Sequence, residues 1–108
     1  MPNCGVGLMG RLRSYHPSVA DDLKTAVRYY DSISSELGTR FRAAIRRRLN
    51  DVGSRPESFG RVRGELRVAI ARRFPYVILF TFGQERVLIV GVFHARSDQQ
   101  GWFTRVDE

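Results

Sequence analysis

Tyr76-Val77-Ile78-Leu79-Phe80-Thr81-Phe82, then Gly83-Gln84-Glu85, then Val87-Leu88-Ile89-Val90-Gly91-Val92-Phe93, is the stretch whose reading decides the fold. The first run is apolar at nearly every position, as expected of a central strand covered on both faces. The second is strongly β-branched, and the turn residues between them mark a hairpin, so the two runs pair antiparallel. Just upstream, Leu66, Val68 and Ile70 alternate with Arg67, Ala69 and Ala71, the period-two pattern of a half-buried strand. Three consecutive strands therefore form an antiparallel meander.

Further toward the N-terminus the period changes to that of helices. Phe41, Ile45, Leu49 and Val52, with Ala44 filling in, recur every three or four residues, and Gly53 and Pro56 close the segment. Before it, Leu23, Ala26, Val27, Tyr30, Ile33 and Leu37 form a similar stripe, which Gly38 is expected to end as a helix-terminating glycine. Pro17 suits a first helical turn, Ser18 can cap it, and Asp21 and Asp22 favour the positive end of the helix dipole. The two segments read as an antiparallel hairpin joined by a tight turn. Arg11 to Tyr15 reads as a short edge strand. The fold class is thus α+β: an N-terminal strand, a two-helix antiparallel hairpin and a three-stranded antiparallel β-meander, with the helices on one sheet face.

The 108 residues suit one domain, assigned to residues 11–108, with Met1 to Gly10 a flexible leader. Hydrophobic residues make up 43% of the chain, enough for a core, but no apolar run approaches the roughly 20 residues of a membrane helix. The leader lacks the pattern of a secretory signal. Cys4 is the only cysteine, which excludes an internal disulfide and suits a reducing compartment. The expectation is a cytoplasmic protein that does not engage membranes. Asp21 and Asp22 have no further ligand at metal-binding spacing, the glycines form no phosphate-cradling loop, and no Ser-His-Asp pattern stands out, so neither a metal nor a cofactor is expected.

The net charge of +7 is unevenly placed. Between Thr39 and Arg73 lie eleven arginines against Asp51, Glu57 and Glu65, a net of +8 that leaves −1 for the rest of the chain. Such a field accelerates encounter with polyanions, whether nucleic acid or an acidic protein segment. On the second helix Arg42, Arg46 and the Arg47-Arg48 pair lie mostly off the apolar stripe, facing solvent or a partner.

An ordered series of short motifs runs through the chain. It comprises Tyr15-His16-Pro17, Asp22-Leu23, Tyr29-Tyr30, Leu37-Gly38 with Phe41, Pro56 with Phe59, and Val62-Arg63-Gly64. It continues with Arg67, Arg73-Phe74-Pro75-Tyr76, His94, Arg96 and Trp102. From Leu12 to Trp102 this series resembles the RelE/ParE toxin superfamily, which includes plasmid stabilisation proteins. The resemblance implies the fold derived above and the role of toxin in a type II toxin–antitoxin pair, bound as a hetero-oligomer by a cognate antitoxin. RelE-like members cut messenger RNA on the ribosome as mRNA interferases, whereas ParE-like members poison DNA gyrase by binding it.

The two branches make different demands on the residues. RNA cleavage needs proton transfers and stabilisation of a charged phosphorane, for which His94 is the candidate acid–base group and Arg67, Arg73 and Arg96 the candidate phosphate ligands, converging on one sheet face. A contact mechanism needs only exposed side chains near the C-terminus, with Arg96, Trp102, Phe103 and Arg105 as candidates. RelE-like ribonucleases resemble one another in a group of basic residues on the central strands and often an aromatic hydroxyl near the C-terminus. Here lysine is absent from the second half, Ala69 and Ala71 neighbour Arg67, and the aromatic is Trp102. The long hairpin and the Arg73-Phe74-Pro75-Tyr76 run look ParE-like, so gyrase inhibition is expected ahead of messenger cleavage. For the antitoxin, Arg42, Arg46 and Arg47 are the candidate contacts.

Overall fold

The run from Tyr76 to Phe82 is the middle strand of a five-stranded sheet in the computed structural model, which describes residues 11–106. The expected leader, Met1 to Gly10, lies outside the described residues. In chain order the elements are β1 (Leu12–Tyr15), α1 (Val19–Ile33), α2 (Ser35–Ser54), β2 (Arg61–Arg63), β3 (Leu66–Ile70), β4 (Tyr76–Phe82), β5 (Arg86–His94) and α3 (Gln99–Val106). A single 3-10 turn, Pro56–Ser58, follows α2. The strand order is β1-β5-β4-β3-β2, with β1 parallel to β5 and every other pairing antiparallel. The expected strand, helical hairpin and meander are all present in an α+β arrangement.

Four features depart from the sequence reading. The helices divide at Ser34, not at Gly38. Ser34 is extended (φ −164°, ψ 148°) and its hydroxyl accepts from the Leu37 amide, so it caps α2 while Gly38 lies buried within that helix. Leu37 therefore belongs to α2, and Ile33, the last residue of α1, is 57% exposed. Gly38 is small for another reason: a Cβ there would collide with the Asp31 carboxylate. Secondly, Ser18 makes no side-chain cap on α1; its own amide donates to His16 Nδ1 at 3.0 Å. Thirdly, the meander has a fourth strand, β2, folded back on β3 through Gly64 at φ +55°, a left-handed conformation that glycine adopts without strain. Finally, Ser97-Asp98 starts a helix, α3, in which the Asp98 carboxylate accepts from the Gln100 amide.

Both sheet faces are covered. Ala69, Ile78, Phe80, Val87, Ile89 and Val92 pack with Ala26, Tyr30, Phe41, Ile45 and Val52 of the hairpin. Leu66, Val77, Leu79 and Val90 pack instead with Trp102 of α3. This two-sided burial is why β4 is apolar throughout. A β-bulge adjusts the second face: Leu79 pairs with Gly91 and Phe80 with Ile89, leaving Val90 as an extra residue. The side-chain alternation of β5 shifts there, so Ile89 and Val92 both reach the hairpin side.

Candidate functional site

A concavity of about 840 Å³ lies between α1, α2 and the edge strand β1. Its apolar lining comes from Ala20, Leu23 and Val27 of α1 and from Phe41, Ile45 and Leu49 of α2. Ala20 is exposed and Leu23 and Val27 are half-buried, whereas Phe41, Ile45 and Leu49 belong to the core and form the back of the groove. Around them stand five basic side chains (Arg13, Lys24, Arg28, Arg42, Arg46) and two carboxylates (Asp21, Asp31), a net of +3. The three expected antitoxin contacts are not equivalent. Arg46 and Arg47 are exposed without an ion pair among the described residues, whereas Arg42 is held by Asp31 at 3.1 Å. Arg48 is engaged elsewhere, donating to the Ile70 carbonyl and Asp51 and lying over the Phe59 ring. The sequence reading identified the cations on α2 but missed the contribution of Lys24 and Arg28 across the groove.

The four residues nominated for RNA cleavage do not share one surface. Arg67 donates to the Phe59 and Glu57 carbonyls and lies over the Phe82 ring, so its guanidinium is spent tying the segment after α2 to the sheet. Its register partner is Phe80, while that of His94 is Tyr76, four residues away along β4 or about 13 Å at ~3.3 Å per residue. His94 Nδ1 accepts from the Arg96 amide at 3.0 Å, which leaves the proton on Nε2, and its ring meets Tyr76 edge-on at 5.2 Å. The Ser97 amide and hydroxyl both donate to the His94 carbonyl, so this histidine organises the turn into α3. Only Arg73 and Arg96 remain near it, each in a turn beside Tyr76: the Tyr76 amide donates to the Phe74 carbonyl, and the Ala95 amide to the Pro75 carbonyl. Arg73 has φ +74°, a left-handed conformation costing a non-glycine residue roughly 1 kcal/mol.

The expected target contacts are likewise sorted by packing. Trp102 is 4% exposed, stacked on Phe93, with its indole N–H donating to Ser97 Oγ at 2.7 Å. It closes the core under α3 and does not project from it. Arg105 reaches around β5 to grip Asp22 of α1 with two nitrogens at 2.9 and 3.1 Å, and Asp22 also accepts from the Val92 amide. A Cβ on Gly91 would stand 3.0 Å from the Arg105 guanidinium and 2.4 Å from the Phe93 ring, so the absence of a side chain makes room for this reach. Phe103 is half-buried beneath the Arg63 guanidinium. Of the four, Arg96 alone is exposed. Asp22 was legible as a residue of the first helical turn, but no local signal ties it to a residue 83 positions away.

Tyr30 joins the helices to this end of the sheet. It stacks on Phe41 at 5.0 Å and meets Phe74, Tyr76 and Tyr29 edge-on at 5.0, 6.1 and 5.0 Å. Burial pushes its phenol above the ordinary value of 10.0, and Tyr76 and then Tyr29 raise it further. Tyr76 is raised by burial and then by Tyr29. In the unfolded chain these phenols ionise near pH 10, so their contribution to stability is complete below that pH. Above it the unfolded chain releases protons first, and stability falls as pH rises through the higher folded-state values. The denaturant midpoint should therefore drop on the alkaline side of pH ~10, and Tyr76→Phe should flatten the drop. A midpoint that rises there contradicts the assignment.

A strand and a helical hairpin over one face of the sheet are the arrangement that the resemblance to the RelE/ParE superfamily implied, and a short C-terminal helix covers the other face. Residues 14–99 match the family described as the ParE toxin of the type II toxin–antitoxin system parDE, and the chain belongs to that family. Among solved structures it is similar to a chain from the chromosomal ParDE toxin–antitoxin system of P. aeruginosa, with a TM-score of 0.70 and 16% sequence identity. That match covers 82% of this chain and 98% of the other, and at this identity it shows the shared fold. No curated protein gives a significant match. Among the described residues, no helix is long and apolar enough to cross a membrane.

Proposed function

We propose that this chain is a cytoplasmic toxin that arrests growth by binding DNA gyrase and is neutralised by a cognate antitoxin seated in the groove between α1, α2 and β1. The observation that carries the antitoxin half is the pairing of an apolar floor with a net +3 rim. An acidic, amphipathic segment that is disordered when free gains both burial and charge pairing on folding there. The adjoining β1 is an edge strand, able to accept a further strand from the same segment.

The gyrase half is supported by family membership and by the occupation of the residues that cleavage would require. Arg67 is committed to backbone carbonyls, and His94 orders a turn. A contact mechanism requires neither as an acid or base. Arg96, which is exposed, and Phe103, half-buried beneath Arg63, are the side chains left to meet the target.

Reversing charge in Arg46→Glu with Arg47→Glu should slow antitoxin association about tenfold at low salt and reduce its salt dependence, measured by stopped-flow binding. Unchanged rates would remove the electrostatic part of the proposal. The target is tested with purified toxin in a gyrase supercoiling assay beside an assay of ribosome-bound messenger cleavage. Gyrase inhibition that persists in His94→Ala supports the contact reading; messenger cleavage lost in that variant establishes the ribonuclease reading in its place.

A further inference from the structure

The charges around the groove between α1, α2 and β1 are not of one sign, and helical spacing sets their order. Lys24, Arg28 and Arg46 are exposed and without an ion pair among the described residues. Lys24 and Arg28 stand one turn apart on α1, and Arg46 stands one turn beyond Arg42 on α2; all of them line the groove. Arg13 adds a cation from β1, its guanidinium donating to Asn50 Oδ1 at 2.9 Å. At the end nearest Ser34, where the helices divide, Arg42 is instead neutralised by Asp31. Positive charge therefore runs along the middle of the groove and is compensated at the junction end.

Asp31 does not stand where a carboxylate settles by default. It belongs to the last turn of α1, the negative end of that helix's dipole. Its carboxylate fills the space that a side chain on Gly38 would need, since a Cβ there would collide with Asp31 Oδ1. Glycine inside a helix is destabilising relative to alanine, and here its bareness keeps the carboxylate on the groove wall. The Asp31 side chain is 38% exposed, so a ligand in the groove meets it. Asp21, the other acid of the rim, lies in the first turn of α1, where the dipole accounts for it.

On the reading that the antitoxin occupies this groove, we infer that Asp31 is a specificity-determining residue. It admits a segment whose acids lie against Lys24, Arg28 and Arg46 and whose side chain at the junction end is neutral or basic, and it rejects a segment that is acidic throughout. A carboxylate brought against Asp31 is repelled, and the Arg42 charge that would offset the repulsion is already engaged. A uniformly basic groove would accept acidic chains in several registers. One carboxylate at one end makes the order of charges count as well as their sum, because a slide of one helical turn sets acids meant for Arg28 and Arg46 against Asp31.

The test measures, at low salt, binding of the full chain to the antitoxin encoded beside it, displayed as a library with Glu, Gln or Lys at each position of its toxin-binding segment. Against the unaltered chain, one position should bind about tenfold more weakly with Glu than with Gln and should tolerate Lys. Asp31→Asn releases the Arg42 charge, so Glu should become the favoured residue at that position. Arg42→Gln leaves the Asp31 carboxylate uncompensated, so the penalty for Glu should grow. Both substitutions lie at exposed positions and keep a polar side chain, so the fold is retained. An ion pair that merely staples the helices is broken equally by both, and shifts in the same direction at every antitoxin position would overturn the inference. A library in which no position responds to Asp31→Asn would overturn it too. Binding that ignores Lys24→Glu, Arg28→Glu and Arg46→Glu removes the groove as the antitoxin site; binding that needs those cations yet ignores Asp31 removes this inference alone.

Discussion

Asp22→Ala should destabilise the chain by about 3–5 kcal/mol, the range for removing one partner of a buried ion pair. Asp22 and Arg105 are only 12% and 15% exposed, and the substitution removes both Asp22 oxygens from the guanidinium, which stays enclosed beside Phe93 and the Val90 carbonyl. It also removes the acceptor of the Val92 amide at 3.0 Å, at the free part of the β5 edge beyond the end of β1. For a domain of this size, with stability on the order of 5–15 kcal/mol, the loss is a large fraction of the whole. The melting temperature should fall by more than about 10 °C, since each kcal/mol shifts it by roughly 4–8 °C. Combining Asp22→Leu with Arg105→Met should recover part of the loss, because apolar side chains then fill the place of a desolvated charge. A single substitution costing less than about 1 kcal/mol would place the pair in the class of exposed salt bridges and remove α3 from the cooperative core.

Phe41→Ala should cost a similar amount, about 3–5 kcal/mol, measured by denaturant unfolding. Phe41 is 0% exposed and touches Tyr30, Phe74 and Tyr76 with ring separations of 5.0, 5.3 and 5.1 Å. The cavity left by the ring cannot be filled by its neighbours without breaking the other aromatic contacts. Because Phe41 also lines the groove, the variant should bind antitoxin more weakly even under conditions where it is folded. Phe41→Leu retains most of the apolar volume and should lose markedly less. Equal losses in the two variants would show that the site collapses around either side chain and that ring packing contributes little.

Period-two and period-3.6 patterns were enough to locate the hairpin and the central strands, because alternation and helical spacing follow directly from backbone geometry. The boundary between the helices was misplaced because Gly38 resembles a terminator, whereas the operative signal is Ser34 ahead of Ser35-Glu36. The strand β2 was missed for its length of three residues, too short to show alternation. The helix α3 was missed because its apolar content is concentrated in Trp102, Phe103 and Val106, although Asp98 carries a recognisable capping role.

The candidate site divides in the same way. Charge, its concentration between Thr39 and Arg73, and the motif series that resembles the toxin superfamily are properties of the linear chain, and they pointed to the partner class before any coordinates. Which arginines are free to meet that partner is a tertiary property. Arg46 and Arg47 stay open, Arg42 meets Asp31, Arg67 is drawn to the Phe59 carbonyl, and Arg105 crosses to Asp22. Residue type and local periodicity decide which element a side chain sits on and which way it leaves the backbone. Whether its charge ends in solvent or against a carboxylate depends on contacts between segments far apart in the chain, and only folding brings those segments together.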